Sequence, residues 1–574
     1  MRKGTGLLTA VTILAIMIMG CSTSGSDTTF AAPSGISFGK INMSAWQYDE
    51  ENDFYWQTGI SYCEKPADAD YETMGFFVPG AFFNSYANGN GTYTCTINKT
   101  AQVAGYTAAT APMIIPVNTP GYAAMAAPVD NLSSCGYGSI SDFTSAGFVL
   151  VFAGARGRDA GAPSGVVDFK AAIRYARYNS DVLPGNPDRF FSLGMSGGGA
   201  QSALLGTTGN SDLYTPYLEE IGAVKGVSDA VMGSMCWCPI TNLDVADSAY
   251  EWNMGSARSG LDEDTQKLSD GLAAAFAEYI NNIRLTDSNG NVLFLVESED
   301  GILQSGTYYD YIKAVIEESL NNFLSDTEFP YDADISSSGG FGGRLDGILG
   351  GLEGDRTIGY EAFDGIGRNN AAGGIAISGI YETVQDYIDA LNADRVWVNY
   401  NSLSNTASIT SVADFVKAMK VPSKAVGAFD ALDRSQGENT LFGYGDGNGA
   451  HFDRIEAALL AGTDYEAAFT GDLTRLDALG NTVDYRMDMY NPMYFLCSYY
   501  EGKGSSQVAP YFRIRTGLSQ GDTAVCTEVN LALALASCGC NVDFATVWGV
   551  GHKEAERTGS SLANFIEWVN SCVE

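Results

Sequence analysis

Histidine is the scarcest functional residue of this chain, with two in 574 residues. A zinc centre is therefore not expected: no C-x-x-C spacing accompanies the histidines, although C-x-C pairs occur at Cys236/Cys238 and Cys538/Cys540. Basic residues are also few, 32 Lys and Arg against 68 Asp and Glu, for a formal net charge of −36. Such a surface repels nucleic acid and anionic lipid, so neither is an expected partner, and the charge reads as a solubility adaptation. The N-terminal apolar run, Leu7 to Met19, is shorter than the roughly 20 residues that a bilayer-spanning helix needs. Length and apolar content are ample: 574 residues at 45% hydrophobic suit one large enzyme domain with an insertion, or two ordinary domains.

The N-terminus places Arg2 and Lys3 before the apolar run and ends it with "IMGC" at Cys21, which resembles a bacterial lipoprotein signal. The resemblance implies a signal peptide at residues 1–20, a diacylated Cys21, and an exported chain on the extracytoplasmic face that touches the membrane only through its lipid. An ordinary secretory signal with a nearby cysteine is the alternative. Small polar residues up to 34, "STSGSDTTFAAPS", read as a flexible tether, so 21–34 should carry no chemistry. Ten cysteines remain beyond Cys21, an even number in an exported chain, which permits disulfides without identifying the pairs.

From about 70 to 240, strand-length apolar runs ("MGFFVPGAFF", "APMIIPV", "GFVLVFAG", "RFFSLGMS") alternate with helical patterns such as Val166, Phe169, Ile173 and Ala176. This alternation predicts a mostly parallel sheet covered by helices on both faces. The tail repeats it with "PYFRIRTG", "EVNLALALASCG", "NVDFATVWG" and "SSLANFIEWVNSC". Residues 35–240 and 481–574 are thus expected to be two parts of one domain. Between them, 241–480 changes to amphipathic helices such as "QKLSDGLAAAFAEYINNIRL" and a glycine-rich stretch, "SSSGGFGGRLDGILGGLEGD", and reads as an inserted lid. No internal repeat is present.

In "RFFSLGMSGGGAQSALLG" an apolar strand runs into G-x-S-x-G and then a small-residue helix, the context a nucleophile elbow requires, with Ser196 at the turn. A serine hydroxyl needs a base, and histidine is the usual one because its pKa lies near 6.5. His552, in "VWGVGHKEAE", follows the last predicted strand and the serine in chain order. His451, in "GNGAHFDRIEAALL", lies in the insertion and reads as a capping or lid-packing residue. The third member should be a carboxylate after the preceding strand, and "FRIRTGLSQGDTAV" supplies Asp522, whose alternative role is a helix N-cap. Asp543 is a poorer candidate because it sits within a predicted strand. An oxyanion hole would use the N–H of Gly197 and one from "PVNTPGYAAMA", where Gly121 and Tyr122 qualify and Pro120 has no N–H.

Four stretches, "GARGRDAGAPSGVVDFKAAIRYARYNSDVLPGNPDRFFSLGMSGGGAQSALLG", "CPITNLDVADSAYEW", "KAVGAFDALDRSQGENTLFG" and "FRIRTG" through "VDFATVWGVGH", resemble the subtype B bacterial tannase branch of the α/β-hydrolases, which cleave galloyl esters. The resemblance covers most of the mature chain. It implies an α/β fold with a doubly wound, mostly parallel sheet and a large, mainly helical lid insertion, and a triad serine and histidine at Ser196 and His552. It also implies contacts to the gallate hydroxyls from Lys424, Glu438 and Asp522. Read without it, Lys424 and Glu438 would be a surface ion pair on the lid. The sequence departs from the family at the triad acid: tannases carry two acids separated by one residue, the first serving the histidine, and that slot here is Gln520. A glutamine carbonyl can accept the imidazole N–H but supplies no charge. The expectation is that Asp522 turns inward to serve His552; replacement by another carboxylate, or a slow enzyme, are the other outcomes.

The reaction expected is ester hydrolysis through an acyl-enzyme at Ser196, without metal or organic cofactor, on a small aromatic ester. Competing readings are a feruloyl-type carboxylesterase or serine peptidase of the same fold, and a lipid-anchored, non-catalytic binder of aromatic ligands.

Overall fold

A computed structural model of the protein describes residues 39–130, 134–299, 301–333, 377–420 and 422–574. The signal peptide, Cys21 and the tether expected at 1–34 lie outside the described residues, as does the glycine-rich stretch of the insertion.

A nine-stranded sheet organises the chain. Its strands are β1 (Gln47–Asp49), β2 (Phe54–Ser61), β3 (Thr73–Pro79), β4 (Met113–Val117), β5 (Val149–Ala153), β6 (Phe190–Met195), β7 (Gly233–Trp237), β8 (Tyr511–Gly517) and β9 (Asn541–Val547). Their spatial order is β1-β2-β3-β5-β4-β6-β7-β8-β9. The first three pair antiparallel, as do β3 and β5, and the remaining six run parallel. Every residue of β4, β5, β6 and β7 is buried, which explains why their sequences are continuous apolar runs without polar alternation: helices cover both faces. The chain moves from β4 to β5 on one side and then to β6 on the other, so strand order reverses at β4. In open α/β sheets the crevice at the carboxyl ends of such strands is where ligands bind.

The helices used below are α1 (Ser164–Tyr178), α2 (Gly197–Thr207), α3 (Ala246–Met254), α4 (Glu263–Ile283), α5 (Thr307–Asp326), α6 (Gly437–Leu441), α7 (Arg454–Leu459), α8 (Val525–Ser537) and α9 (Ser561–Val573). Val166, Phe169, Ile173 and Ala176 are all buried on α1, as their spacing predicts. Among the described residues no strand of the large sheet lies between Trp237 and Tyr511, so the intervening residues form an insertion built mainly of helices. On α4, Leu268, Leu272, Phe276, Ile280 and Ile283 make one buried stripe, and the Asp262 side chain caps its start. Phe276 meets Trp252 of α3 and Tyr308 of α5 with ring centroids 5.3 and 6.2 Å apart. The insertion also closes the sheet edge: Ser319 Oγ of α5 donates to the Thr546 carbonyl of β9 at 2.9 Å. Trp548, which follows β9, stacks on Trp397 and donates its indole N–H to the Tyr387 hydroxyl at 2.8 Å, which braces the loop leading to His552. All ten described cysteines are free thiols. Among the described residues no helix is long and apolar enough to cross a membrane.

Candidate active site

Ser196 stands between β6 and α2 with φ 59° and ψ −124°, backbone angles that a non-glycine residue adopts only under constraint, at a cost of about 1–3 kcal/mol. Its N–H donates to the Trp237 carbonyl at 2.9 Å, which ties the turn to β7. The flanking glycines follow from the packing. A Cβ at Gly194 would collide with the Gly198 carbonyl, and one at Gly198 with the Val117 carbonyl at the end of β4. The elbow thus lies against β4 at the switch point, and its hydroxyl faces the sheet's carboxyl end.

His552 reaches the same point from the loop after β9. Its Nε2 lies 2.8 Å from Ser196 Oγ, and both residues are buried, at 4% and 2% exposure. Its other nitrogen, Nδ1, lies 2.5 Å from Gln520 Oε1. The Gln520 amide nitrogen donates to Thr516 Oγ1 at 2.6 Å and to Glu528 Oε1 at 3.2 Å. Glu528, fully buried on α8, also accepts from Thr516, Thr523 and Thr527 at 3.2, 2.7 and 2.9 Å. A carboxylate accepts and cannot donate, so it requires the NH₂ of Gln520 on its side and turns the amide oxygen towards the imidazole. That oxygen in turn requires N–H at Nδ1, which leaves Nε2 as the acceptor for the serine proton. The Glu528 carboxyl thus stands one residue further from the imidazole, behind an amide.

This differs from the expectation for Asp522. Its Oδ2 lies 4.0 Å from His552 Nδ1, beyond hydrogen-bond reach, and has no hydrogen-bond partner among the described residues. The physical reason is Glu528: an inward-turned Asp522 would bring a second carboxylate towards an already buried one, whereas Gln520 satisfies both Glu528 and the imidazole. Asp522 is not a helix N-cap either, since Ala524 occupies that position on α8. It remains partly exposed beside the ring. Burial draws the His552 pKa below its ordinary 6.5, against which Asp522 and Glu528 raise it, Lys424 lowers it and Glu438 raises it.

The two insertion residues act on the same imidazole electrostatically. Glu438 is buried on α6, which packs against the Pro120–Tyr122 turn after β4. Lys424 is half-buried with Nζ 3.9 Å from the centre of the Phe429 ring, and no ion pair joins it to Glu438 among the described residues. The Tyr250 hydroxyl of α3 accepts from the backbone N–H groups of Ser423 and Lys424 and donates to the Gly521 carbonyl, linking the lysine's loop to that of Gln520 and Asp522. Of the oxyanion candidates, Gly197 begins α2 directly beside Tyr122, whose N would sit 2.6 Å from a Cβ at Gly197. The Tyr122 N–H is already committed to the Thr119 carbonyl at 2.9 Å, and Gly121 precedes it in the same turn. Arg158 steadies this turn by donating to the Gly121 carbonyl at 3.0 Å.

His451 stacks on Phe469 at 3.7 Å and pairs with Asp430 at 2.7 Å inside the insertion, away from Ser196's partners. Asp543 pairs with Arg513 and Arg515 at 3.1 and 2.6 Å. Glu528, Thr516 and Tyr250 are site residues that sequence reasoning missed. The one available signal was an acidic side chain, Glu528, in the otherwise apolar helix "EVNLALALAS".

The BD-FAE family model matches residues 105–277. No curated protein sequence matches the chain significantly. Among solved structures, a tannin acyl hydrolase from Lactobacillus plantarum is 26% identical, with 91% of this chain and 94% of that chain covered at a TM-score of 0.65. A Fusobacterium nucleatum tannase is 27% identical, with 91% and 95% covered and the same score. A tannin acyl hydrolase in complex with ethyl gallate is 26% identical over 91% and 94%, with a TM-score of 0.64. The chain thus has the α/β-hydrolase fold, with an inserted helical region between β7 and β8, that it shares with these bacterial tannases.

Proposed function

We propose that the protein is a serine carboxylic-ester hydrolase acting on aromatic esters, galloyl or related phenolic ones. The observation that carries the reading is the 2.8 Å contact between a buried serine hydroxyl on a strained elbow and an imidazole whose tautomer is set from behind. Ser196 Oγ attacks the ester carbonyl while His552 Nε2 takes its proton. The tetrahedral oxyanion is met by the N–H groups of Gly197 and Gly121, and the alcohol departs with the proton returned by His552. Water, activated by the same nitrogen, then releases the acid. Gln520 holds the ring, and every step is carried by side chains and backbone N–H groups of this chain.

The similarity to tannases, one of them holding ethyl gallate, supports an aromatic acyl group. Lys424, Glu438 and Asp522 are suited to its phenolic hydroxyls: three charged side chains around one cleft, with the Asp522 oxygen unpartnered among the described residues. Glu438→Gln and Lys424→Met are each expected to raise KM for methyl gallate about 10-fold, as for one hydrogen bond to a charged group, and to leave methyl benzoate unchanged. Equal effects on both esters would remove the phenol-binding role. A panel of galloyl, feruloyl and short aryl esters with a peptide p-nitroanilide separates this reading from a feruloyl-type esterase or a peptidase.

Catalysis needs neutral His552, and burial lowers its pKa, so protonation should switch the enzyme off only below the ordinary value. The acid limb of kcat/KM is expected to inflect below pH 6.5. An inflection above it would mean a direct carboxylate partner.

Gln520 in the acid position favours a second reading, a binder of aromatic ligands with a decayed site. A fluorophosphonate probe that leaves Ser196 unlabelled in folded protein would establish it. In either case the N-terminal sequence supports export and anchoring by a lipid on Cys21, to be tested by mass spectrometry of the mature N-terminus.

A further inference from the structure

A second concentration of buried charge lies outside the catalytic cleft. Asp247 of α3 and, at the start of α7, Asp453 and Glu456 are fully buried, and one carboxylate oxygen of each lies within 4.8 Å of one from each of the other two. No lysine or arginine forms an ion pair with any of the three among the described residues. A fourth buried acid, Asp430, stands beside them with its oxygens already occupied by Asn439, His451 and the N–H groups of Phe452 and Asp453.

Asp247 accepts from the N–H groups of Phe429 and Asp430 at 2.7 and 3.2 Å, and Asp453 Oδ1 caps α7 through Ile455 and Glu456. Asp453 Oδ2 and both Glu456 oxygens, although buried, have no hydrogen-bond partner among the described residues. A carboxylate buried without a partner is among the costliest arrangements in a protein. On the remaining side a Cβ at Gly427, whose φ is +77°, would lie 3.0 Å from Glu456 Oε1 and 2.8 Å from the Asp430 carbonyl oxygen, so the loop backbone closes over the cluster.

We propose that Asp247, Asp453 and Glu456 form a structural calcium site. The donors are all oxygen, which selects a hard cation over zinc or copper. Calcium accepts several carboxylate oxygens in a flexible geometry at about 2.3–2.6 Å, whereas magnesium demands a near-ideal octahedron and usually keeps several of its waters.

The ion would join α3, α7 and the loop from Lys424 to Asp430. That loop is also gripped by Tyr250 and by Arg258, which donates to the Lys424 and Ala425 carbonyls while paired with Glu251 of α3. Calcium would therefore set the position of Lys424 relative to the imidazole. The site itself is independent of the esterase reading and is tested without activity.

The experiment uses the mature protein, stripped with EGTA and desalted, and follows Tm and calorimetric heat on titration with CaCl₂ or MgCl₂. The expected result is one Ca²⁺ per chain, a Tm that rises with Ca²⁺ and saturates, and a smaller response to Mg²⁺. Glu456→Gln removes an unpartnered charge, so in EGTA it should melt no lower than wild type, and it should bind Ca²⁺ about 10-fold or more weakly. A wild-type Tm and titration indifferent to Ca²⁺ would overturn the site, as would an undiminished response in Glu456→Gln. If the variant does not fold, the wild-type titration decides alone.

Discussion

Ser196→Ala and His552→Ala are each expected to lower kcat on the best aryl ester by about 10⁶, and the double variant to be no slower than either one. The two side chains act through one hydrogen bond, Ser196 Oγ to His552 Nε2, so removing either destroys the same proton transfer. The losses therefore overlap instead of adding. A residual rate of about 10³–10⁴ over water should survive, from the oxyanion donors and substrate positioning. The folds of the two variants should hold. Ser196→Ala deletes one oxygen, and a smaller side chain at an already strained position adds no clash. Circular dichroism and Tm check the folds, and turnover of the aryl ester checks the rates. A rate for Ser196→Ala within 10-fold of wild type would end the serine mechanism and leave a binding protein.

The second large effect concerns the residue behind the imidazole. Gln520→Ala is expected to lower kcat about 10³-fold, approaching the roughly 10⁴ lost when a serine protease's orienting acid is neutralised, because the ring then loses its fixed tautomer. Asp522→Asn should cost far less in kcat and act mainly on KM for hydroxylated acyl groups, since Asp522 lies 4.0 Å from the ring. Gln520→Glu alone should also be slow, because it sets a carboxylate against Glu528 where the amide now donates at 3.2 Å. Exchanging the two, Gln520→Glu with Glu528→Gln, keeps an amide-to-carboxylate hydrogen bond between the two positions, requires the Thr516 and Thr523 hydroxyls to reorient, and moves the charge one residue closer to His552. That double variant should match or exceed wild type in kcat. Its acid limb should move to higher pH, because a carboxylate in direct contact stabilises the imidazolium and raises its pKa. A large loss for Asp522→Asn together with a neutral Gln520→Ala would return the orienting role to Asp522.

The parts legible in the sequence were those governed by local chain geometry. A strand, a turn that tolerates no Cβ on either side of the serine, and a helix of small residues must follow one another in "RFFSLGMSGGGAQSALLG", and each step leaves its mark within a few residues. The sheet was legible for a related reason: strands buried on both faces are written as unbroken apolar runs. The partner of His552 was not. Gln520 and Asp522 lie two residues apart in one loop, and both face the ring. The choice between them belongs to Glu528, a residue on the following helix whose side chain is recognisable as a hydrogen-bond acceptor only once Thr516, Thr523 and Thr527 have closed around it. The acid cluster under the lysine loop was hidden likewise. Asp247 and Glu456 are more than two hundred residues apart, and each reads singly as an ordinary helix surface acid.

By itself, then, the sequence determined where the sharp turn carrying Ser196 stands, which histidine lies beside it and what class of sheet carries them, because backbone sterics and burial periodicity act over short stretches of chain. Tertiary structure alone decided how the charges are arranged: an amide between imidazole and glutamate, an aspartate held back beside the ring, and three carboxylates buried against one another. Electrostatic energies depend on distance and desolvation, and both are properties of the folded chain.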